Sequence, residues 1–436
     1  MTARLTPPRH ARAIAAALLR GAAIATLGVL YAAAVLVSRA RGRANPGSGR
    51  PSNCILVIGT FHNPNWFQSH VRPLARSGVG EVILVCDEVM AAAGKVRFEC
   101  PPRWMAALLS RAGAKLVWAL RCALRYRPDL YMGYHIFPAA LSALVVARLF
   151  GRPACYQDTS GPLELEGGGW HAENRLLAAL QRPSAWIERL AFAVVREFDS
   201  VVVRGSGAEA FIRRTGYRRA LAVITGSVEP AGRWRDFSER TVDLAFVGRL
   251  TEYKRPDRFI AALAAVAKTL PRTRALVIGD GPDAQRLGAL ARELGVDANV
   301  QFVGKRADVN DLLATARVFL LTSRWEGLSI AMLEAMAAGA VPVVAAVGDL
   351  GDLLRDGENG FLVRQDDVTA FARQATALLS DPDLWRRCSR KAVATAVANS
   401  GVDAIAKRWQ RHLRSVLRAW RAPGAATSTL EQRPRA

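Results

Sequence analysis

Two successive series of short apolar runs, each alternating with helical stretches, constrain this chain more than any other feature. CILVIG (54–59), EVILVC (81–86), DLYMG (129–133), PACYQ (153–157) and SVVVR (200–204) read as buried strands. Helical patterns lie between them over Phe67 to Arg76, Arg103 to Arg127, Ala139 to Leu149 and Ser184 to Arg196. A polar break follows, GSVEPAGRWRDFSERT (226–241). The rhythm then restarts with VDLAFVG (242–248), ALVIG (275–279), VQFVG (300–304), VFLLTS (318–323) and VPVVA (341–345). Strands that are apolar on both faces and separated by helices demand a parallel sheet covered on both sides. Two doubly wound, Rossmann-like α/β domains facing a cleft are therefore expected over residues 51–226 and 227–400, with ligands at the carboxyl ends of the strands. Residues 1–50 read as a hydrophobic segment and hinge, 401–422 as a last helix and 423–436 as a disordered tail.

A length of 436 residues suits two cores better than one, and 51% hydrophobic residues are ample to fill them. The net charge of +23 is uneven: residues 1–230 hold 29 Lys and Arg against 14 Asp and Glu (+15), the rest 31 against 23 (+8). Such a field attracts phosphorylated small molecules, anionic lipid and nucleic acid. No base-reading module accompanies it, so nucleic acid is not expected as a partner. The 6 cysteines lack metal-ligand spacing and sit mostly in apolar runs, which reads as reduced, buried thiols of a cytosolic compartment.

Gly21 to Ser38 carries no charge and is flanked by Arg4, Arg9, Arg12 and Arg20 before it and Arg39, Arg41 and Arg43 after it. That length is at the lower limit for crossing a bilayer. An uncleaved anchor at the cytoplasmic face of the inner or plasma membrane is expected, with a helix lying on the surface as the alternative. A second contact with an anionic membrane surface is expected on the helix 103–127. At about 100 degrees per residue from Arg111, the cations Arg103, Lys115, Arg121 and Arg125 share one face with Trp104 and Trp118, while Leu109, Leu116, Leu120 and Leu124 lie opposite, where they can pack on the sheet.

The segment SRWEGLSIAMLEAMAAGAVPVVA (323–345) carries the most chemistry. Glu326 and Glu334 stand eight positions apart across a strand-to-helix turn, so both carboxylates can face one cleft. Gly327 lets the backbone approach a ligand, and the amides of Leu328 and Ser329 open a helix whose N-terminus welcomes an anion. Arg249 and Lys254 follow the strand VDLAFVG, where two cations can neutralise a leaving diphosphate without a metal. The one DxD, Asp381 to Asp383, encloses Pro382 and reads as a helix N-cap, so no metal site is expected.

FVGRLTEYKRPD (246–257), LVIGDGPDAQRL (276–287), VQFVGKRADV (300–309) and WEGLSIAMLEAMAAGAVPVVA (325–345) resemble glycosyltransferase family 4, the retaining nucleotide-sugar enzymes of GT-B fold. The resemblance covers almost the whole second domain but only the general layout of the first. It implies that Arg249 and Lys254 grip the donor diphosphate, that Glu326 contacts the transferred sugar and that Glu334 holds the ribose. The strand end at Lys305 then approaches the nucleobase. The nucleotide sugar is a substrate, no cofactor is implied, and the acceptor is a glycan or a lipid-linked or membrane-associated molecule.

In the first domain, Gly59 opens the loop GTFHNPN (59–65), which is expected to approach the donor from the acceptor side. His62 and His70 in this region read equally as helix-start or surface residues. His135, just past a strand, is the better pocket candidate. Many members of the family have a histidine after the strand corresponding to PACYQ, whereas this chain reads Gln157, Asp158, Thr159, Ser160, Gly161. Asp158 either replaces that group near the anomeric carbon or caps the following turn, and the residues alone leave both open. GPLELEGGG (161–169) reads as a flexible acceptor lid with Glu164 and Glu166 exposed as base candidates.

Three other functions compete. Gly279, Gly281 and Ala284 fit the dinucleotide pattern GxGxxA, and Lys305 with Arg306 would suit the 2'-phosphate of NADP. A nucleotide-sugar epimerase of the same fold would need acid and base groups on the donor itself. A non-catalytic nucleotide-sugar-binding protein would explain the missing histidine.

Overall fold

The computed structural model describes residues 9–41, 52–61, 64–90, 95–172, 174–230 and 232–421. His62, residues 42–51 of the hinge and the tail from 422 onward lie outside the described residues. Among the described residues the first sheet has seven strands: β1 (Cys54–Ile58), β2 (Glu81–Val85), β3 (Val96–Glu99), β4 (Leu130–Tyr134), β5 (Ala154–Gln157), β6 (Ser200–Val203) and β7 (Ala220–Val223). They are parallel, in the order β3-β2-β1-β4-β5-β6-β7. The second sheet has six: β8 (Val242–Val247), β9 (Ala275–Ile278), β10 (Val300–Gly304), β11 (Ala316–Leu321), β12 (Val341–Ala345) and β13 (Phe361–Val363). These too are parallel, in the order β10-β9-β8-β11-β12-β13. The central strands β1, β4, β5 and β12 are buried at every position, as helices on both faces require.

The first domain carries α1 (Arg9–Arg41), α2 (Pro64–Arg76), α3 (Arg103–Tyr126), α4 (Leu141–Leu149), α5 (Arg175–Ala178), α6 (Ala185–Glu197) and α7 (Ser206–Arg214). The second carries α8 (Pro256–Thr269), α9 (Ala284–Glu293), α10 (Val309–Leu313), α11 (Ile330–Ala337), α12 (Val368–Ser380) and α13 (Pro382–Ser400). The last helix, α14 (Val402–Arg421), returns to the first domain. Its Ile405, Trp409, Leu413 and Val416 share one core with Phe67, Val71 and Leu74 of α2. Asp381 caps α13 by accepting from the amides of Asp383 and Leu384 at 3.0 and 2.9 Å, with Pro382 in the first turn, so the DxD is a capping device.

Helix α3 departs from the expected arrangement. Ser110 at φ 66°, ψ 164° breaks it, so Arg103 and Trp104 do not share a helical wheel with the residues that follow. The inward face is built from Ala114, Ala119, Cys122 and Ala123, whose small side chains let the helix approach its neighbours closely. Leu109 and Leu124, expected on the sheet, are instead exposed, and Lys115, expected on a membrane, is buried. Its ammonium donates to the Gly59 carbonyl at 3.2 Å, to Thr60 Oγ1 at 2.6 Å and to Asp87 Oδ2 at 2.7 Å. Trp118 Nε1 and the Tyr126 hydroxyl both donate to Glu99, which also lies near Arg121. Asp87 and Glu99 lie outside the helix's own sequence, so a wheel drawn on α3 alone could not show that they engage Lys115 and Trp118.

Candidate functional site

The strand ends of the two sheets face each other. Beyond β11, Ser329 caps α11 by accepting from the amide of Met332, and Leu328 is buried beneath the turn. Glu326 sits in this turn with its side chain 7% exposed, and its Oε1 accepts from Lys254 Nζ at 2.7 Å and Ser323 Oγ at 2.6 Å. The β8–α8 loop and the β11–α11 turn thus meet through an ion pair. Gly327 approaches the first domain: a Cβ on it would lie 3.5 Å from the Thr159 carbonyl. Arg249 and Lys305 are exposed on the neighbouring loops. One turn into α11, Glu334 is 9% exposed, and burial alone pushes its carboxyl up to about 7. Beside these groups Arg324, Trp325, Val347, Gly348 and Gln365 line a depression of about 450 Å³.

Across the cleft, His135 follows β4 at φ 62°. Its Nδ1 lies 2.5 Å from Glu164 Oε1, and its ring is parallel to Trp66 with centroids 6.1 Å apart. Glu164 is 3% exposed and also accepts from the Ile136 amide at 2.9 Å and the Tyr156 hydroxyl at 2.8 Å. The expected exposure of Glu164 is therefore corrected, while Glu166 is exposed as expected. Leu165 and the three glycines after Glu166 are buried, and this loop forms two tight turns packed into the domain, with Glu166 alone among the two acids exposed. Burial works against charge on His135, yet Glu164 leaves its pKa raised. Burial likewise opposes charge on Glu164, but His135 and the two hydrogen-bond donors hold its carboxyl below the ordinary range.

Asp158 follows β5 and is 1% exposed. Its Oδ1 accepts from the amides of Ser160 and Gly161 at 3.1 and 2.8 Å, so it does cap the turn, while its buried Oδ2 has no partner among the described residues. Burial, then the charge of Glu164, raises its pKa well above the usual range. Gly59 is needed for packing, because a Cβ there would meet the Phe61 ring at 2.4 Å. His70 is buried and stacks on Trp66, which corrects the surface reading.

Arg204, at the end of β6, was not singled out from sequence. It is 7% exposed, and its Nε and one terminal nitrogen have no partner among the described residues. Burial lowers its pKa to about 10, against the opposing charges of Glu326, Asp158 and Asp349. The signal was available: a lone Arg ends the apolar run SVVVR where a parallel strand delivers its ligand groups. The two domains also touch directly, since Asp349 accepts from the Gly207 amide at 2.7 Å and Asp352 from Ser206 at 2.6 Å.

The GxGxxA signal has a packing explanation. A Cβ on Gly279 would fall 1.8 Å from the Gly248 carbonyl and one on Gly281 would fall 2.3 Å from that of Leu250, so both glycines let adjacent strand-end loops pack together. Arg306 is paired with Asp308.

Two facing parallel-sheet domains with a returning C-terminal helix are the GT-B fold. A crystal structure of HepE from Anabaena in complex with UDP-glucose superposes with TM-score 0.67 at 19% identity, over 83% of this chain and 99% of that one. Residues 235–394 match the family described as glycosyl transferases group 1. Over 217 residues the chain is 31% identical to the lipopolysaccharide core biosynthesis glycosyltransferase LpsE of Rhizobium meliloti, covering 48% of this chain and 62% of that protein. Over 181 residues it is 29% identical to the N-acetyl-alpha-D-glucosaminyl L-malate synthase of Bacillus anthracis, covering 42% and 47% respectively. The chain thus spans about half the length of the curated relatives it matches. Residues 235–394, most of the second α/β domain, are thus similar to a glycosyltransferase group 1 domain, and the two domains together have the GT-B fold.

Proposed function

We propose that the protein transfers a sugar from a nucleoside-diphosphate sugar to a glycan or membrane-associated acceptor in polysaccharide or glycolipid biosynthesis. Anomeric configuration is retained, no metal is used, and the reaction runs at the cytoplasmic face of the membrane. The observation that carries this reading is the Lys254–Glu326 pair at 2.7 Å beside the N-terminus of α11, facing His135, Asp158 and Arg204 across the cleft. In this reading Lys254 and Arg249 meet charge developing on the leaving diphosphate, Lys254 being preorganised by its pair with Glu326. Glu326 orients Lys254 and the transferred sugar, and Glu334, ionised, accepts from the ribose hydroxyls. Lys305 lies toward the base. His135, held by Glu164, and Asp158 meet the sugar from the first domain. Names of the relatives and neighbours, which include a UDP-glucose complex and lipopolysaccharide biosynthesis, support the donor class and the acceptor class.

The test is transfer by the purified full-length chain across a panel of nucleotide sugars, with and without excess EDTA. Product formed equally in both conditions, with the donor's anomeric configuration kept, is the expected result. Restoration of lost activity by magnesium or manganese would overturn the metal-free step, and donor isomerisation without transfer would favour an epimerase.

A further inference from the structure

Helix α1 is apolar on two opposite faces. Taking Leu18 as zero at about 100 degrees per residue, Ala23, Leu27, Tyr31 and Ala34 fall between 140 and 220 degrees. All four are at most 2% exposed and belong to the core of the first domain. Val29 and Leu36 fall within 20 degrees of Leu18, and these three are 69%, 67% and 69% exposed. The inner face packs on α4 and α6. It is also fastened near both ends: Arg20 Nε donates to the Leu180 carbonyl at 2.9 Å, while Ser38 Oγ and Arg39 donate to Glu197 at 2.9 and 3.1 Å. Arg148 donates to Ser38 Oγ at 3.0 Å. Midway, the Trp186 ring lies on Gly28, where a Cβ would meet it at 2.1 Å. A helix docked along this length cannot stand across a bilayer unless all these contacts are lost or the domain enters the hydrocarbon, where its polar surface would be unsatisfied.

Helix α3 flanks α4 as α1 does. Outward it shows Trp104, Leu108, Val117 and Leu124, with Arg103, Arg111, Arg121 and Arg125 exposed among them. Apolar side chains at interface depth beside guanidinium groups match the chemistry of an anionic lipid surface.

We infer that α1 is an outer layer of the first domain that lies in the membrane plane, with Leu18, Val29 and Leu36 entering the headgroup boundary of an anionic bilayer and α3 adding a second contact. This inference rests on the membrane location proposed above and changes its mode from span to in-plane helix; it is independent of the donor and of the chemistry. It also keeps a place for the basic face of α3, with Lys115 removed from it and the exposed leucines added.

The test uses the full-length chain with single Leu18→Cys, Val29→Cys or Leu36→Cys substitutions, labelled with an environment-sensitive fluorophore and bound to phosphatidylglycerol/phosphatidylcholine vesicles. Depth is read by quenching with spin-labelled lipids. Residues 18 and 36 are about 27 Å apart along a helix, so the two modes separate clearly. Three equal, shallow depths support the in-plane helix. Val29 at the bilayer centre with Leu18 and Leu36 near opposite surfaces would overturn it, as would the absence of vesicle binding. Burial of all three labels in a lipid-free dimer would also overturn it. Arg111→Glu with Arg125→Glu should weaken binding to the anionic vesicles at least tenfold with an unchanged melting temperature, and unchanged binding would count against the proposal. Loss of sugar transfer with the depth pattern intact would instead strike the catalytic reading.

Discussion

The two domains share one architecture but expose their chemistry differently. In the second, the site is written in short stretches of sequence: Glu326, Gly327, Ser329 and Glu334 lie within nine residues, and Lys254 joins them from the loop after β8, the neighbour of β11 in the sheet. In the first, each group comes from a different strand end: His135 after β4, Asp158 after β5, Arg204 after β6. Groups supplied by one turn and helix carry a spacing that can be read. Groups supplied by three strands are brought together by sheet order alone, and order is not visible in spacing. The same contrast governs the charges. Lys254 pairs with a carboxylate inside the stretch of sequence that carries the resemblance, whereas Lys115 is held by Asp87 and the loop after β1, which no motif and no wheel of its own helix connects to it.

The largest effect that would sharpen this contrast is structural and lies in the first domain. Lys115→Met should destabilise the protein by about 3 kcal/mol, because it leaves the carboxylate of Asp87 without its cation in a largely buried position. Chemical denaturation measures it, and a loss under 1 kcal/mol would return Lys115 to the solvated face. Next comes the second domain: Lys254→Ala should lower kcat/KM through a loss of roughly 2 to 4 kcal/mol of transition-state stabilisation while the melting temperature stays close to normal. Near-normal turnover would show that the diphosphate is held elsewhere.

How far the fold was legible follows from the same reasoning. The central strands are continuous apolar runs and were plain, but β3 (VRFE) and β7 are short edge strands whose partly exposed residues blur the signal, and β13 is an edge strand of only three residues. α3 misled because a wheel assumes that the widest leucine stripe is the inner one. Here the alanines pack deepest, Leu116 and Leu120 pack beside them as expected, and Leu109 and Leu124 are left exposed, with the kink at Ser110 breaking the phase. Glu164 misled because three glycines after it suggest mobility, whereas Gly167, Gly168 and Gly169 all adopt positive φ in a packed loop. The candidate residues of the second domain come from short stretches that carry the resemblance, while Arg204 was missed because it lies outside them.

A smaller effect probes Glu334, the deepest carboxylate of the second site. Its folded pKa of about 7 lies above its unfolded value near 4.5, so the neutral form is favoured in the fold. Stability from this group is complete below the unfolded value and is lost as pH rises toward and through about 7, at most roughly 3 kcal/mol in all. Glu334→Gln should therefore flatten the decline in stability between pH 5 and 8. In the same window, donor affinity of the parent chain should rise with pH if the ionised carboxylate accepts the ribose hydroxyls. A variant that declines as steeply as the parent would place the titrating group elsewhere.

The smallest effect asks whether the first domain's histidine is a working group or a packed one. Glu164→Gln keeps the size and acceptor of the side chain but removes the charge that holds the pKa of His135 up against burial. His135 should then lose its proton at lower pH, and loss of one charge-assisted contact corresponds to about 1 kcal/mol, or severalfold in kcat/KM near neutrality. A merely structural role would change melting temperature and leave the pH profile of turnover in place. Displacement of the profile to lower pH, with KM for the donor little altered, is the expected outcome. Asp158→Asn supplies the control, because the amide can still cap the turn through its oxygen while the unpartnered Oδ2 becomes a donor. If Asp158→Asn lowers turnover severalfold while Glu164→Gln leaves the profile unmoved, the aspartate has taken the place near the anomeric carbon and His135 serves packing. If both variants are silent, the first domain contributes only acceptor binding and the chemistry belongs to Lys254 and its neighbours.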